Sequence, residues 1–297
     1  MKLKISVYLA IQLFCLTVWS SDAIANSSQN KPPVAATRLE PEIELPFHLV
    51  AGYLIQIEGQ IGTQNHLKFV LDTGASMSVV DSTIADKLRL RRQSTQSFNF
   101  DRNFAWEQAT FPDVQFGTAR ASNIAMLVGR LAEYSEFARG VDAIIGTDLL
   151  RLVNFSVDLD ARKITFRSSG SITSARSRDP LSNCLFLEMG VQGHMIRLLV
   201  DSGFPGILLF EERLTTSVSN LEIPDQPVGV ILGERLRAKR TTLRNVLIGS
   251  TRRDVTVLLA KAPAADVLPG IVGVIGISAL NAHRVNFNFN KNTISWE

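Results

Sequence analysis

Beyond residue 46 the chain is built mainly from short apolar runs and alternations of strand length. Tyr53-Leu54-Ile55-Gln56-Ile57, Leu67-Lys68-Phe69-Val70-Leu71, Phe155-Ser156-Val157-Asp158-Leu159 and Lys163-Ile164-Thr165-Phe166 alternate or run apolar with β-forming residues. Asp160-Ala161-Arg162, between the last two, reads as a hairpin turn. The pattern predicts an all-β class with few short helices. It lapses twice. From Asn26 to Pro46, Ser, Asn, Pro, Ala and Glu predominate, which predicts a flexible leader or short propeptide. From Ser168 to Pro180, Ser, Arg and Gly take over, which predicts a linker.

The two sides of that linker repeat one another in order and spacing. Phe69-Val70-Leu71-Asp72-Thr73-Gly74 answers Leu198-Leu199-Val200-Asp201-Ser202-Gly203, an offset of 201 − 72 = 129. The apolar pairs Val79-Val80 and Leu208-Leu209 follow their aspartates at the same distance. Ile144-Ile145-Gly146 answers Val274-Ile275-Gly276 at an offset of 276 − 146 = 130. Each half then closes with a candidate strand hairpin, Asn154 to Phe166 and Val285 to Trp296. Two lobes of equal size follow, residues 47–167 and 181–297, joined by the linker 168–180.

Each Asp follows three apolar strand residues and precedes a hydroxyl residue and a glycine, so its carboxylate leaves a buried strand at a tight turn. The hydroxyls of Thr73 and Ser202 are placed to hydrogen-bond the opposite loop. Two such loops related by a pseudo-twofold axis would bring the carboxylates together. The motif Asp72-Thr73-Gly74-Ala75-Ser76 resembles the active-site loop of aspartic proteases, and Ile144-Ile145-Gly146 resembles the apolar segment packed beneath it. Asp201-Ser202-Gly203 with Val274-Ile275-Gly276 is similar to a second copy. The resemblance spans about residues 47–297 and is nearest the bacterial retropepsin-like group, with both lobes in one chain as in pepsin. It implies a bilobal pepsin-like fold, two pseudo-twofold-related barrel-like lobes around a cleft. It also implies Asp72 and Asp201 as the catalytic pair, with Thr73, Gly74, Ser202 and Gly203 supporting the loops.

Two like charges held about 3 Å apart cannot both ionise, so such a pair keeps one proton over a range of pH. The ionised member can activate a water while the protonated one hydrogen-bonds the developing oxyanion. Two features depart from the family. Phe204-Pro205-Gly206 follows the second motif where a small residue is usual, so Phe204 is expected to reshape or crowd the cleft. The stretch Phe98 to Phe116 has no Tyr for a substrate flap, which leaves Phe104 and Trp106 as flap candidates or core residues.

The structural alternative for the two aspartates is that they are ordinary turn residues of a repeated β-domain. The cost of delivering two carboxylates from apolar strands to matching positions argues against it. Asp142 and Asp148, flanking Ile144-Ile145-Gly146, read as structural, with Asp148 placed to cap a helix over Leu149 to Leu152.

Composition narrows the remaining classes. The net charge of +3, from 31 basic and 28 acidic residues, gives no case for nucleic acid, and the clusters Lys87 to Arg92 and Arg235 to Arg244 read as solvated faces. His48, His66, His194 and His283 have no metal-ligand spacing, and phosphate-loop and serine-elbow motifs are missing, so neither metal nor cofactor is expected.

The N-terminus has Lys2 and Lys4, an apolar run from Ile5 to Trp19 and an Ala23-Ile24-Ala25 ending, which predicts a signal peptide over residues 1–25. The expected protein is therefore exported, periplasmic or secreted, and free of the membrane after cleavage. Cys15 would leave with the signal, so Cys184 would be the single mature cysteine, read as a buried structural thiol.

The expected activity is an aspartic endopeptidase on polypeptide, working as a monomer because one chain holds both motifs. The alternative is a catalytically silent module that uses the same cleft to bind a peptide or protein.

Overall fold

The protein is seen in a computed structural model that describes residues 42–99, 102–134, 138–168, 184–218, 228–232, 236–263 and 268–297. The expected signal peptide, the leader up to residue 41 and the linker beyond Ser168 lie outside the described residues.

The described chain begins with β1 (Glu42–Pro46), then β2 (His48–Val50), β3 (Leu54–Ile61), β4 (Gln64–Leu71), β5 (Val79–Asp81) and helix α1 (Ser82–Lys87). Next come β6 (Arg92–Asn99), β7 (Arg102–Phe116), β8 (Ala119–Gly129), α2 (Leu131–Tyr134), β9 (Ala143–Ile145) and α3 (Thr147–Leu150). Strands β2 to β9 form one sheet in the order β2-β3-β4-β9-β5-β8-β7-β6, and a further pairing of β3 with β7 closes it into a barrel.

The second half repeats this with β12 (Phe186–Val191), β13 (His194–Val200), β14 (Ile207–Phe210), α4 (Glu211–Ser217), β15 (Val228–Leu232), β16 (Leu236–Ile248), β17 (Thr251–Ala260), β18 (Gly273–Ile275) and a 3-10 turn Ile277–Leu280. Its order is β12-β13-β18-β14-β17-β16-β15, closed by β12 on β16. Closure removes most of the exposed strand edges that an open sheet of this length would leave.

The local pattern explains the centre of each barrel. Phe69-Val70-Leu71 and Leu198-Leu199-Val200 are apolar at every position because both faces of these strand ends are buried. Each pairs in parallel with the short strand beside it, Leu71 with Ile145 and Val200 with Ile275. Gly146 and Gly276 sit where backbones nearly touch. A Cβ on Gly146 would lie 2.8 Å from the Ala75 carbonyl oxygen, and one on Gly276 would overlap the Phe204 carbonyl.

The closing hairpins form as expected, β10 (Val153–Asp158) with β11 (Lys163–Ser168) and β19 (Arg284–Asn288) with β20 (Thr293–Trp296). They do not stay within their own halves. Strand β10 pairs with β19, so the two hairpins join in a third sheet, β1-β11-β10-β19-β20, that ties the lobes together. Phe155 stacks on Phe287 at 4.5 Å in this sheet, and Arg284 pairs with Asp158 at 2.7 Å at its edge.

The leader is corrected at its end. Glu42–Pro46 is a strand running antiparallel along β11, not a flexible tail. The Glu-Ile-Glu-Leu alternation places Glu42 and Glu44 against Arg167 and Lys163, at 3.0 and 2.6 Å, while Leu45 packs on the core. Such exposed pairs add little on their own. The backbone ladder and the Leu45 contact hold the strand.

Candidate active site

Asp72 and Asp201 stand at the ends of β4 and β13, each fixed by a hydrogen bond from its own amide to the strand packed below. Asp72 N donates to Ile145 O at 3.0 Å and Asp201 N to Ile275 O at 2.9 Å. The glycine turn then points amides back at each carboxylate. Asp72 Oδ1 accepts from Gly74 N (2.9 Å) and Ala75 N (3.2 Å), and Asp201 Oδ1 accepts from Gly203 N (2.7 Å).

The two loops lock together through their hydroxyls. Thr73 Oγ1 donates to Val200 O at 2.9 Å and accepts from Ser202 N at 3.0 Å. Ser202 Oγ donates to Leu71 O at 2.8 Å and accepts from Thr73 N at 3.0 Å. The exchange is reciprocal, as expected of a pseudo-twofold axis between the loops. All of these groups are buried, so each bond is made away from competing water.

The carboxyl groups of Asp72 and Asp201 lie beside each other, at 2% and 3% residue exposure. The loop glycines are required at this closeness: a Cβ on Gly203 would lie 2.8 Å from Asp72 Cγ, and one on Gly74 would strike the Asp201 carboxylate. Burial pushes both carboxyl pKa values up. Asp201 rises to about 6, with the Asp72 bond and the Gly203 amide opposing the burial effect. Asp72 is raised well above its ordinary value by burial first, then by the charge of Asp201 and the bond to it, against the Gly74 and Ala75 amides. The shared proton belongs to the pair and is assigned to neither residue.

Around this centre the halves differ. Ser78 Oγ donates to Asp148 Oδ1 at 2.7 Å, Ser78 N donates to Asp148 Oδ2 at 3.1 Å, and Ser78 Oγ accepts from Gly146 N at 3.0 Å. Asp148 lies inside the first turn of α3, behind Gly146 at the N-cap, and its Oδ1 accepts from Leu149 N at 3.0 Å, so the one carboxylate holds both the expected helix and β5's approach. Burial raises its carboxyl pKa, partly offset by Ser78. Asp142 Oδ2 accepts from Lys68 N at 2.8 Å, a structural role as expected. Sequence reasoning did not find Ser78, because its significance is a contact 70 residues away.

The flap candidates separate. Trp106 is 5% exposed and part of an apolar cluster that also holds Tyr53 and Leu127. Phe104 lies in backbone register with Ser97 where β6 pairs with β7; residues 100–101 lie outside the described residues. Phe204 is 1% exposed and belongs to the same buried cluster, its amide donating to Asp201 O at 3.1 Å. Cys184 is buried, as expected. No group of metal-ligating side chains occurs among the described residues.

Residues 57–151 match the family model described as gag-polyprotein putative aspartyl protease. The first lobe is thus similar in sequence to an aspartyl-protease family. Among solved structures, a retropepsin-like aspartic protease from Rickettsia conorii aligns with a TM-score of 0.33 and 20% identity, covering 43% of this chain and 91% of its own. The aspartic proteinase from Irpex lacteus aligns with a TM-score of 0.45 and 12% identity, over 84% of this chain and 96% of its own. No curated protein matches significantly. Two closed barrels, a repeated Asp loop in each and a sheet shared between them give the two-lobed all-β architecture that the sequence predicted.

Proposed function

We propose that this chain is an aspartic endopeptidase in which Asp72 and Asp201 activate a water for attack on a peptide carbonyl. The observation that carries the reading is the buried, adjacent carboxyl pair held by reciprocal Thr73 and Ser202 bonds. With one proton on the pair, the ionised carboxylate takes a proton from water as it attacks. The protonated carboxyl hydrogen-bonds the developing oxyanion, and the pair then returns a proton to the leaving amine. The burial that raises both pKa values keeps that proton in place at mild pH. No charge other than the pair's own has to be supplied.

The substrate class proposed is unfolded or extended polypeptide, held along the cleft between lobes by strand-like backbone pairing. One chain supplies both aspartates, so a monomer suffices. The Lys-flanked apolar N-terminus supports export and removal of residues 1–25, which the mass of the protein recovered from a secreting host checks. The test is incubation of the purified protein with denatured substrates, with and without a statine peptide. Cleavage blocked by the statine supports the peptidase, whereas tight binding of peptides without cleavage supports the silent module.

A further inference from the structure

Tyr53 carries a buried hydroxyl that the fold leaves without a partner. The residue is 8% exposed, and its Oη has no hydrogen bond among the described residues. Buried polar groups are nearly always paired, by protein or by bound water, so an orphan of this kind marks a place where something else binds. Ser76 Oγ, four residues after Asp72, is buried and unpartnered in the same way.

The position of Tyr53 is set by the sheet. Strands β3 and β4 pair antiparallel with Gln56 opposite Val70. That ladder ends at Gln56 and Val70, three residues after Tyr53 and two before Asp72, and Tyr53 stands in the turn that leads into β3, its amide on Val50 O at 3.2 Å. Tyr53 also shares a buried cluster with Val70, two residues before Asp72, and with Leu199 and Phe204, which bracket Asp201. It therefore sits beside both aspartate loops, one from each lobe.

We propose that Tyr53 is a positioning residue of the aspartate pair, its hydroxyl donating to the carboxylates through a bound water and favouring their ionised form. This rests on the reading of Asp72 and Asp201 as a shared-proton pair. A bridging water suits a donor that reaches no protein acceptor directly, and it gives the phenol the partner it lacks. The ionisable groups that act on the phenol among the described residues are Asp201 and Asp72, from the ends of β13 and β4. Burial, then their charges in that order, raise the phenol's pKa beyond its ordinary range, so it remains a neutral donor wherever the pair titrates. Donation to a carboxylate stabilises the ionised form and lowers its pKa, so removing the hydroxyl must move the pair's titration upward.

The test uses Tyr53→Phe in the full chain, which deletes one oxygen and leaves the ring in its cluster. Carbon-13 NMR of the aspartate carboxyls across pH reads the buried pair without needing activity, and the pH profile of kcat/KM is recorded beside it. The expected result is an upward shift of the pair's titration by about half to one pH unit, with the acid limb of the profile moving alongside. If Tyr53→Phe does not fold, 3-fluorotyrosine incorporation replaces it, since a stronger phenol donor must shift the titration downward; the chain has three tyrosines, and Tyr8 lies in the expected signal peptide.

Superimposable carboxyl titrations of parent and variant overturn the proposal. A shifted titration in a parent protein that cleaves nothing upholds the positioning role and removes the peptidase reading. Normal cleavage with unshifted titrations removes the positioning role alone.

Discussion

Thr73→Val measures how firmly the two loops hold the aspartates in register. The substitution keeps the branched shape and deletes Oγ1, which donates to Val200 O at 2.9 Å and accepts from Ser202 N at 3.0 Å. Thr73 is 0% and Ser202 2% exposed, so water does not replace either bond without opening the lobe contact. A buried polar group stripped of its partner costs about 1–3 kcal/mol, and two are stripped here, giving about 2–6 kcal/mol. That is a large share of the roughly 5–15 kcal/mol that holds a typical domain folded.

Guanidinium unfolding at a fixed pH gives the loss, and Ser202→Ala with the double variant completes a cycle. Because the two hydroxyls bridge the same pair of loops, the double loss is expected to fall short of the sum by about 0.5–3 kcal/mol. Cleavage is expected to drop with stability, since the carboxyls lose their mutual alignment. A Thr73→Val protein within about 0.5 kcal/mol of the parent, additive with Ser202→Ala, would refute the view that this exchange sets the site.

Other perturbations read neighbouring parts of the account. Gly74→Ala and Gly203→Ala put a methyl against the opposite carboxyl, and each is expected to remove cleavage while circular dichroism still reports the barrels. Asp201→Asn tests the sign of the pKa shift. A raised folded pKa means the native state binds protons the unfolded chain releases, so its contribution is present in full below the ordinary carboxyl value and is lost as pH rises through about 6. Denaturation across that window is expected to show the parent weakening as pH rises, and Asp201→Asn weakening less, since one buried carboxyl, Asp72, still titrates there. A parent that gains stability over the same window would reverse the assignment. Ser78→Ala leaves the Asp148 carboxyl and the Gly146 amide short of a bond each, and calorimetry is expected to show a loss of about 2–5 kcal/mol.

Much of the centre was legible from the chain because it is written twice. The offset of 129 between Asp72 and Asp201 is also the separation of Thr73 and Ser202, which meet across the pseudo-twofold. The apolar-apolar-Gly segments lie beneath their aspartates because a strand buried on both faces has to be apolar throughout. What stayed hidden is what the repeat does not copy or what only distance creates. An offset of 129 carries Ser78 to Ile207, and an offset of 130 carries Asp148 to Ser278, so the Ser78–Asp148 lock exists in the first half alone and leaves no echo to notice.

The sheet shared by both lobes joins Phe155 to Phe287, a pairing that no local pattern announces. Glu42–Pro46 reads as polar leader until β11 is there to receive it. Phe204 looked out of place by residue type, yet its ring turns into the core, a direction that sequence spacing does not encode.

The most direct measurement is cleavage of a denatured protein substrate by the parent, Asp72→Asn and Asp201→Asn, each recovered folded and compared from about pH 3 to 8. The account expects the parent to cut and both variants to be inactive at every pH, with the parent's profile limited by the titration of the buried pair. Full activity in either variant would contradict it.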